Sequence, residues 1–270
     1  MDLTRNITLG VYLPRKSAVH LLDPRTKIIT AASTIIALLL INSYSAYFLF
    51  TGAVAILIAA AAIPPSFALR GLRPMLPVLV LMWVFQFFLF SKPGATPLFT
   101  WHFFSPTDAG LEMANMITLR VILLFTVTTI LTLTTTMSAL TDGLEKLLGP
   151  LKKIGLPSHE LVMTMIIALR FVLILAEELD KIVKAQMARG VAFDRGNFIK
   201  RTAKLFPVLL PLFICAFRRA EEMIVAMESR SYTGGRGRTR MKMLSFSRQD
   251  WVAFAIVSAF IAAALTINYI

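Results

Sequence analysis

Apolar residues run in membrane-length stretches at both ends of this chain, parted by short polar or proline-bearing breaks. The first stretch follows Asp23-Pro24, with Asp23 placed to cap a helix and Pro24 at its first position, and it continues to about residue 41. Residues 42–45 are a short uncharged turn. Residues 46–63 then form a second stretch, near the ~20 residues that a spanning helix needs, and Pro64-Pro65 stops it. Residues 74–90, 113–133 and 251–270 supply three more. The pattern predicts an all-α integral membrane protein with about five spanning helices. Asn115 and Arg120 interrupt the fourth and are expected to face protein rather than lipid.

The middle of the chain is patterned differently. Residues 134–155 set Leu140, Leu144, Leu147, Leu148 and Leu151 against Asp142, Glu145, Lys146, Lys152 and Lys153, the spacing of an interfacial helix. A helix then restarts at Pro157-Ser158 and runs through Arg189, apolar over 161–176 except for Arg170. Residues 206–217 are shorter still and contain Pro207 and Pro211. Neither segment makes a good lone span, so a shallow or crossing pair of long amphipathic, cytoplasm-facing helices is expected.

Those two helical patterns end alike, in Ala188-Arg189-Gly190 and Ser229-Arg230-Ser231, each after an Ala-Glu-Glu step at 176–178 and 220–222. Glycine past a helix end and a cation in the last turn have an ordinary explanation in the left-handed cap and the macrodipole. Two such ends in one membrane protein look instead like two prongs for a cytoplasmic partner, since a guanidinium fork grips carboxylates or carbonyls with several donors. Glu177, Glu178, Asp180, Glu221 and Glu222 lie beside Arg170, Lys181, Lys184, Arg218 and Arg219. Ion pairs between the two helices are the expected use of these charges, ahead of acid–base chemistry.

Composition agrees with the pattern: 57% of the 270 residues are hydrophobic, mean hydropathy is +0.72, and there are 20 Phe. The net charge of +13 is then read as orientation and contact with anionic headgroups, not nucleic-acid binding. Arg5, Arg15, Lys16, Arg25 and Lys27 precede the first stretch, Arg70 and Arg73 follow the second, and Arg236, Arg238, Arg240 and Lys242 precede the last. The loop 91–110 holds Lys92 as its one basic residue and an aromatic belt at 101–104. The N-terminus is therefore expected inside and the C-terminus outside. The polar, proline-broken first 27 residues do not resemble a cleaved signal peptide.

Chemistry of other kinds finds little support. The run 234–237, Gly-Gly-Arg-Gly, lacks the lysine and preceding strand of a phosphate loop, so it is read as a basic loop and the chain is not expected to bind ATP by that route. His20, His102 and His159 are scattered, and Cys215 stands alone, so no metal site is expected.

Three stretches are distinctive: residues 17–27 (Ser-Ala-Val-His-Leu-Leu-Asp-Pro-Arg-Thr-Lys), residues 185–190 (Ala-Gln-Met-Ala-Arg-Gly), and Arg219-Ala220-Glu221-Glu222 leading to residues 226–232. With them the chain resembles, over nearly its whole length, the transmembrane coupling (T) component of energy-coupling factor transporters. The resemblance implies that the two arginine-tipped ends dock into grooves on two cytoplasmic ABC-type ATPases. It implies a membrane-embedded substrate-binding (S) subunit as a further partner, interchangeable to judge from residues 234–239, with a vitamin as the substrate. This chain would hold no cofactor, ATP being bound by the partner subunits, and would be no enzyme. The first motif is intact; the second carries Ser229 for alanine and Ser231 for glycine, which keeps the flanks small but removes the best left-handed residue.

The expected organisation is residues 1–136 as four membrane helices, 137–232 as a coupling region, 233–249 as a basic cytoplasmic loop and 250–270 as the last membrane helix. The mechanism is mechanical: closure of the ATPases moves the two helices, whose apolar faces pass the motion to the S subunit. The competing reading is a stand-alone transporter or channel driven by an ion gradient, with Arg120 and Arg170 lining a path at mid-membrane. A membrane enzyme has no nucleophile–base or metal constellation to support it.

Overall fold

A computed structural model describes residues 13–15, 17–89, 107–149, 158–191, 193, 205–234 and 246–269. The aromatic belt at 101–104, Lys152, Lys153 and the basic run 235–240 lie outside these described residues. The elements are helices: α1 Ala18–Leu21, α2 Pro24–Leu40, α3 Tyr44–Ala60, α4 Pro65–Arg70, a 3-10 turn Arg73–Met75, α5 Leu76–Leu89, α6 Asp108–Thr134, α7 Met137–Leu148, α8 Ser158–Ala188, α9 Phe206–Glu228 and α10 Arg248–Tyr269. They fall into two compact units, one holding α1–α7 and α10 and the other α8 and α9. The sequence division places α7 with the coupling region, whereas packing groups it with the membrane helices. The cause is local: an added Cβ on Gly143 would lie 3.0 Å from the Pro24 ring and 3.1 Å from Ile28, so α7 presses directly on the start of α2.

In the larger unit α6 packs against α2, α3, α4 and α5, and α10 packs against α2 and α3. Leu38, Ile41, Tyr47 and Phe50 are wholly buried, together with Leu123, Val127 and Ile130 of α6. Ala46 and Ala264 are also fully buried, and residues this small let helix backbones approach closely where lipid gives no hydrophobic drive. Among the described residues α6 and α10 are long and apolar enough to cross a membrane, while α3 and the segment 73–89 are apolar but shorter. Helix α3 falls short of its apolar run because it stops at Ala60; Ala62 then takes a φ of 53° ahead of Pro64-Pro65.

The ends of the helices decide how the bundle closes. Asp23 caps α2 as expected, its Oδ1 accepting the Arg25 amide at 2.9 Å with Pro24 in the first turn. Asp250, in the first turn of α10, accepts the amide of its own cap residue Ser247 at 2.8 Å and the amide of Asp23 at 2.8 Å. One carboxylate thus satisfies backbone donors at two helix starts, and it is 1% exposed. Lys27 Nζ donates to the carbonyls of Thr134 (2.9 Å) and His20 (3.1 Å), in the field of the Asp23 and Asp250 carboxylates. Thr134 ends α6, where unmatched carbonyls and the negative end of the macrodipole favour an ammonium. The Leu13 amide takes the neighbouring carbonyl, Leu133, at 3.1 Å. His20 holds that arm in turn, its ring bonding to Ser17 Oγ and to the Leu13 carbonyl. Burial lowers the His20 pKa, opposed by the Leu13 bond and assisted by the Lys27 charge.

At the other end Arg120 donates from Nε to the Tyr47 hydroxyl (2.6 Å) and from a terminal nitrogen to the Ile41 carbonyl (2.7 Å) and Asn42 Oδ1 (2.9 Å). Asn268 Oδ1 accepts the Asn42 and Ser43 amides, joining α10 to the same turn. Asn115 Oδ1 accepts from Trp83 Nε1 at 2.9 Å. Both polar interruptions of α6 therefore bond to protein, as the sequence requires.

Asp250→Ala is expected to lower stability by about 2–4 kcal/mol, because the buried Asp23 amide and the part-buried Ser247 amide lose a charged acceptor. Thermal unfolding of the detergent-solubilised protein measures this, and Asp250→Asn, which keeps one acceptor oxygen, is expected to lose about half as much.

Candidate functional site

Helices α8 (31 residues) and α9 (23 residues) pack on each other in the second unit. Gln186 reaches the start of α9 at Pro207, while Ile174, Leu175 and Glu178 face Cys215, Arg218, Arg219 and Glu222. Advancing along α8 therefore means receding along α9, so the pair is antiparallel. By that register Arg230 falls opposite the neighbourhood of Met163, and the two arginines stand about 40 Å apart along the pair at ~1.5 Å per residue. The repeated motif places its two arginines at opposite ends of one helix pair.

The turns that present them are the same. At the end of α8 the Gly190 amide donates to the Met187 carbonyl (3.0 Å) and the Val191 amide to the Gln186 carbonyl (3.0 Å). At the end of α9 the Ser231 amide donates to the Glu228 carbonyl (2.9 Å) and the Tyr232 amide to the Met227 carbonyl (3.1 Å). Both are the paired closing bonds of a left-handed helix end, with Gly190 at φ 89° and Ser231 at φ 52°. Serine thus adopts the glycine conformation, and the departure from the first motif leaves the turn intact. Arg189 and Arg230 occupy the equivalent position, one residue before the left-handed one. Ala188, Arg189, Gly190, Ser229, Arg230 and Ser231 are all exposed.

The charges on the helix bodies are arranged otherwise than the sequence suggests. Glu178 pairs with Lys181 at 3.2 Å, Asp180 with Lys184 at 2.6 Å, and Arg219 with Glu222 at 3.1 Å, each along its own helix at three- or four-residue spacing. Glu177 and Glu221 are exposed. Glu178, Arg218, Arg219 and Glu222 do meet across the pair, lining a half-open cleft of about 160 Å³. The helices are then free to face neighbours with their apolar sides: Leu161, Met165, Val172 and Leu173 on α8, and Leu209, Leu210, Phe213 and Phe217 on α9, are exposed. Arg170 is exposed on α8, and Arg120 is bonded to the Ile41 carbonyl.

Two residues that matter here escape a reading of the sequence. Gln186 lies inside the quoted 185–190 stretch but is 9% exposed, its role set by a carbonyl on α9. Asp250 could have been found from Ser247-x-x-Asp250, the spacing of a reciprocal helix cap.

The family model described as a cobalt transport protein, CbiQ, matches residues 15–243. The energy-coupling factor transporter transmembrane protein EcfT of Ruminiclostridium cellulolyticum is 44% identical over 268 residues, covering 99% of both chains. The proteins of that name from Clostridium kluyveri (44% identical, 93% of both chains) and Bacillus subtilis (42% identical, 96% of this chain and 97% of that one) are similar to it as well.

Because Ser231 carries a side chain in a conformation costing about 1 kcal/mol, Ser231→Gly is expected to strengthen this helix end. Amide hydrogen exchange at Tyr232 should slow about fivefold, whereas Ser231→Val, β-branched at positive φ, should speed it.

Proposed function

This chain belongs to the family of energy-coupling factor transporter transmembrane proteins, and from that premise we propose that it is the mechanical link of an ATP-driven importer, joining two cytoplasmic ABC-type ATPases to a membrane-embedded S subunit. The observation that carries the reading is the pair of equivalent, exposed arginine turns at opposite ends of one antiparallel helix pair. Ends about 40 Å apart suit two separate ATPase subunits, one to each arginine, better than a single groove. When the ATPases close, the two ends are driven relative to each other, and the exposed apolar sides of α8 and α9 pass the displacement to the S subunit. That subunit selects the cargo, which we take to be a vitamin.

The same reading puts five helices across the cell membrane with the N-terminus inside and the C-terminus outside. The starts of α2 and α10 and the end of α6 meet at one end of the bundle, and Arg15, Arg25, Lys27 and Arg248 belong to the segments that meet there. This clustering supports a cytoplasmic assignment for that end. In this role the chain performs no chemistry and holds no nucleotide.

Arg189→Ala and Arg230→Ala test the proposal. An arginine serving only as a water-facing helix cap contributes about 0.3–1 kcal/mol, whereas one lost from a buried charged contact at an interface costs about 2–5 kcal/mol, or roughly thirty- to several-thousand-fold in affinity. Each variant is expected to weaken capture of the ATPases, and the double variant to abolish ATP-dependent vitamin uptake while remaining folded. Arg→Lys should rescue poorly if the fork bonds two acceptors. Normal assembly and uptake in the double alanine variant would return both residues to plain helix caps.

A further inference from the structure

Pro211 lies inside α9, and its ring nitrogen carries no hydrogen. The donor that should satisfy the carbonyl four residues earlier is therefore missing, and the ring crowds that same carbonyl outward. That carbonyl belongs to Pro207. Gln186 of α8 supplies the donor in its place, Nε2 to the Pro207 oxygen at 3.3 Å, from a side chain that is 9% exposed. The backbone carbonyl of Gln186 meanwhile accepts the Val191 amide at 3.0 Å, one of the two bonds closing the turn that presents Arg189. One residue thus bonds the arginine turn of α8 through its main chain and the proline-interrupted start of α9 through its side chain.

We propose that Gln186 is a positioning residue for coupling: it fixes where α9 crosses α8, and so carries a displacement of the Arg189 end into α9. The inference rests on the coupling role proposed above for the two helices. A carbonyl that has lost its helical donor to a proline does not by itself fix the direction of the helix start. Bonding it to a residue three positions before Arg189 selects one direction. A glutamine buried merely to fill space would not need the proline. The pairing with Pro211 separates the two cases, because Pro211→Ala gives the Pro207 carbonyl a donor within its own helix and makes the Gln186 amide dispensable.

The test is a double-mutant cycle of Gln186→Met, near in shape but without a donor, and Pro211→Ala, in the full complex with its ATPases and S subunit in proteoliposomes. Gln186→Met is expected to assemble and hydrolyse ATP, with uptake per ATP reduced about five- to tenfold, the equilibrium weight of one hydrogen bond. In the Pro211→Ala background the same change should cost less than about twofold. Equal losses in both backgrounds, or no loss in either, would overturn the proposal.

A second readout does not depend on transport. Nitroxide labels on Leu173→Cys and Val225→Cys, in a Cys215→Ser background of the full chain in lipid nanodiscs, report the α8–α9 separation. Gln186→Met should shift and broaden that distance distribution when Pro211 is present and leave it unchanged when position 211 is alanine. An unchanged distribution in both backgrounds would sink the positioning role even if the chain proved to be a coupling subunit. A shift with normal ATP-independent uptake would keep the geometry and refute the coupling reading instead.

Discussion

A helix end leaves backbone amides or carbonyls without partners inside the helix, and in apolar surroundings each must be matched by another part of the chain. The bundle of this protein is arranged around that requirement. Asp250 satisfies amides at the starts of α2 and α10, and Lys27 with the Leu13 amide satisfies carbonyls at the end of α6. Three helices and the N-terminal arm are thereby joined at one end by a few directional bonds, while the intervening apolar faces supply area without fixing register. At the opposite end Arg120 and Asn268 do the same for the turn between α2 and α3. These residues explain why charged side chains persist in so apolar a chain: each bonds backbone groups that lipid could not satisfy.

The same requirement shapes α8 and α9, with a different outcome. Their C-terminal carbonyls are closed internally by left-handed turns, and the arginines beside those turns are left exposed rather than being spent on the chain's own backbone. The unmatched carbonyl of Pro207 is the exception, and it is answered across the pair by Gln186. Ion pairs run along each of α8 and α9 and support the helices individually by a few tenths of a kcal/mol each, on the order of exposed helix pairs. Among the described residues the two helices meet through the Gln186 amide and a cleft lined by both apolar and charged side chains.

The sequence by itself determined the helical class, the helix starts at Asp23-Pro24 and near Ser158, the polar interruptions that had to find protein partners, and the two arginine tripeptides. Each of these follows from local chemistry: proline geometry, apolar run length, the cost of a polar group in lipid, and the preferences of a helix end. What it could not determine was anything depending on register between helices. The antiparallel placement of the two arginines, the pairing of charges along rather than between α8 and α9, the docking of α7 on Pro24 at Gly143, and the convergence on Asp250 all set residues far apart in the chain against one another. Periodicity in one helix says which face is apolar; which carbonyl of another helix that face will meet is decided by packing. Gln186 shows the boundary most clearly, since the missing donor at Pro211 is written in the sequence and the residue that replaces it is not.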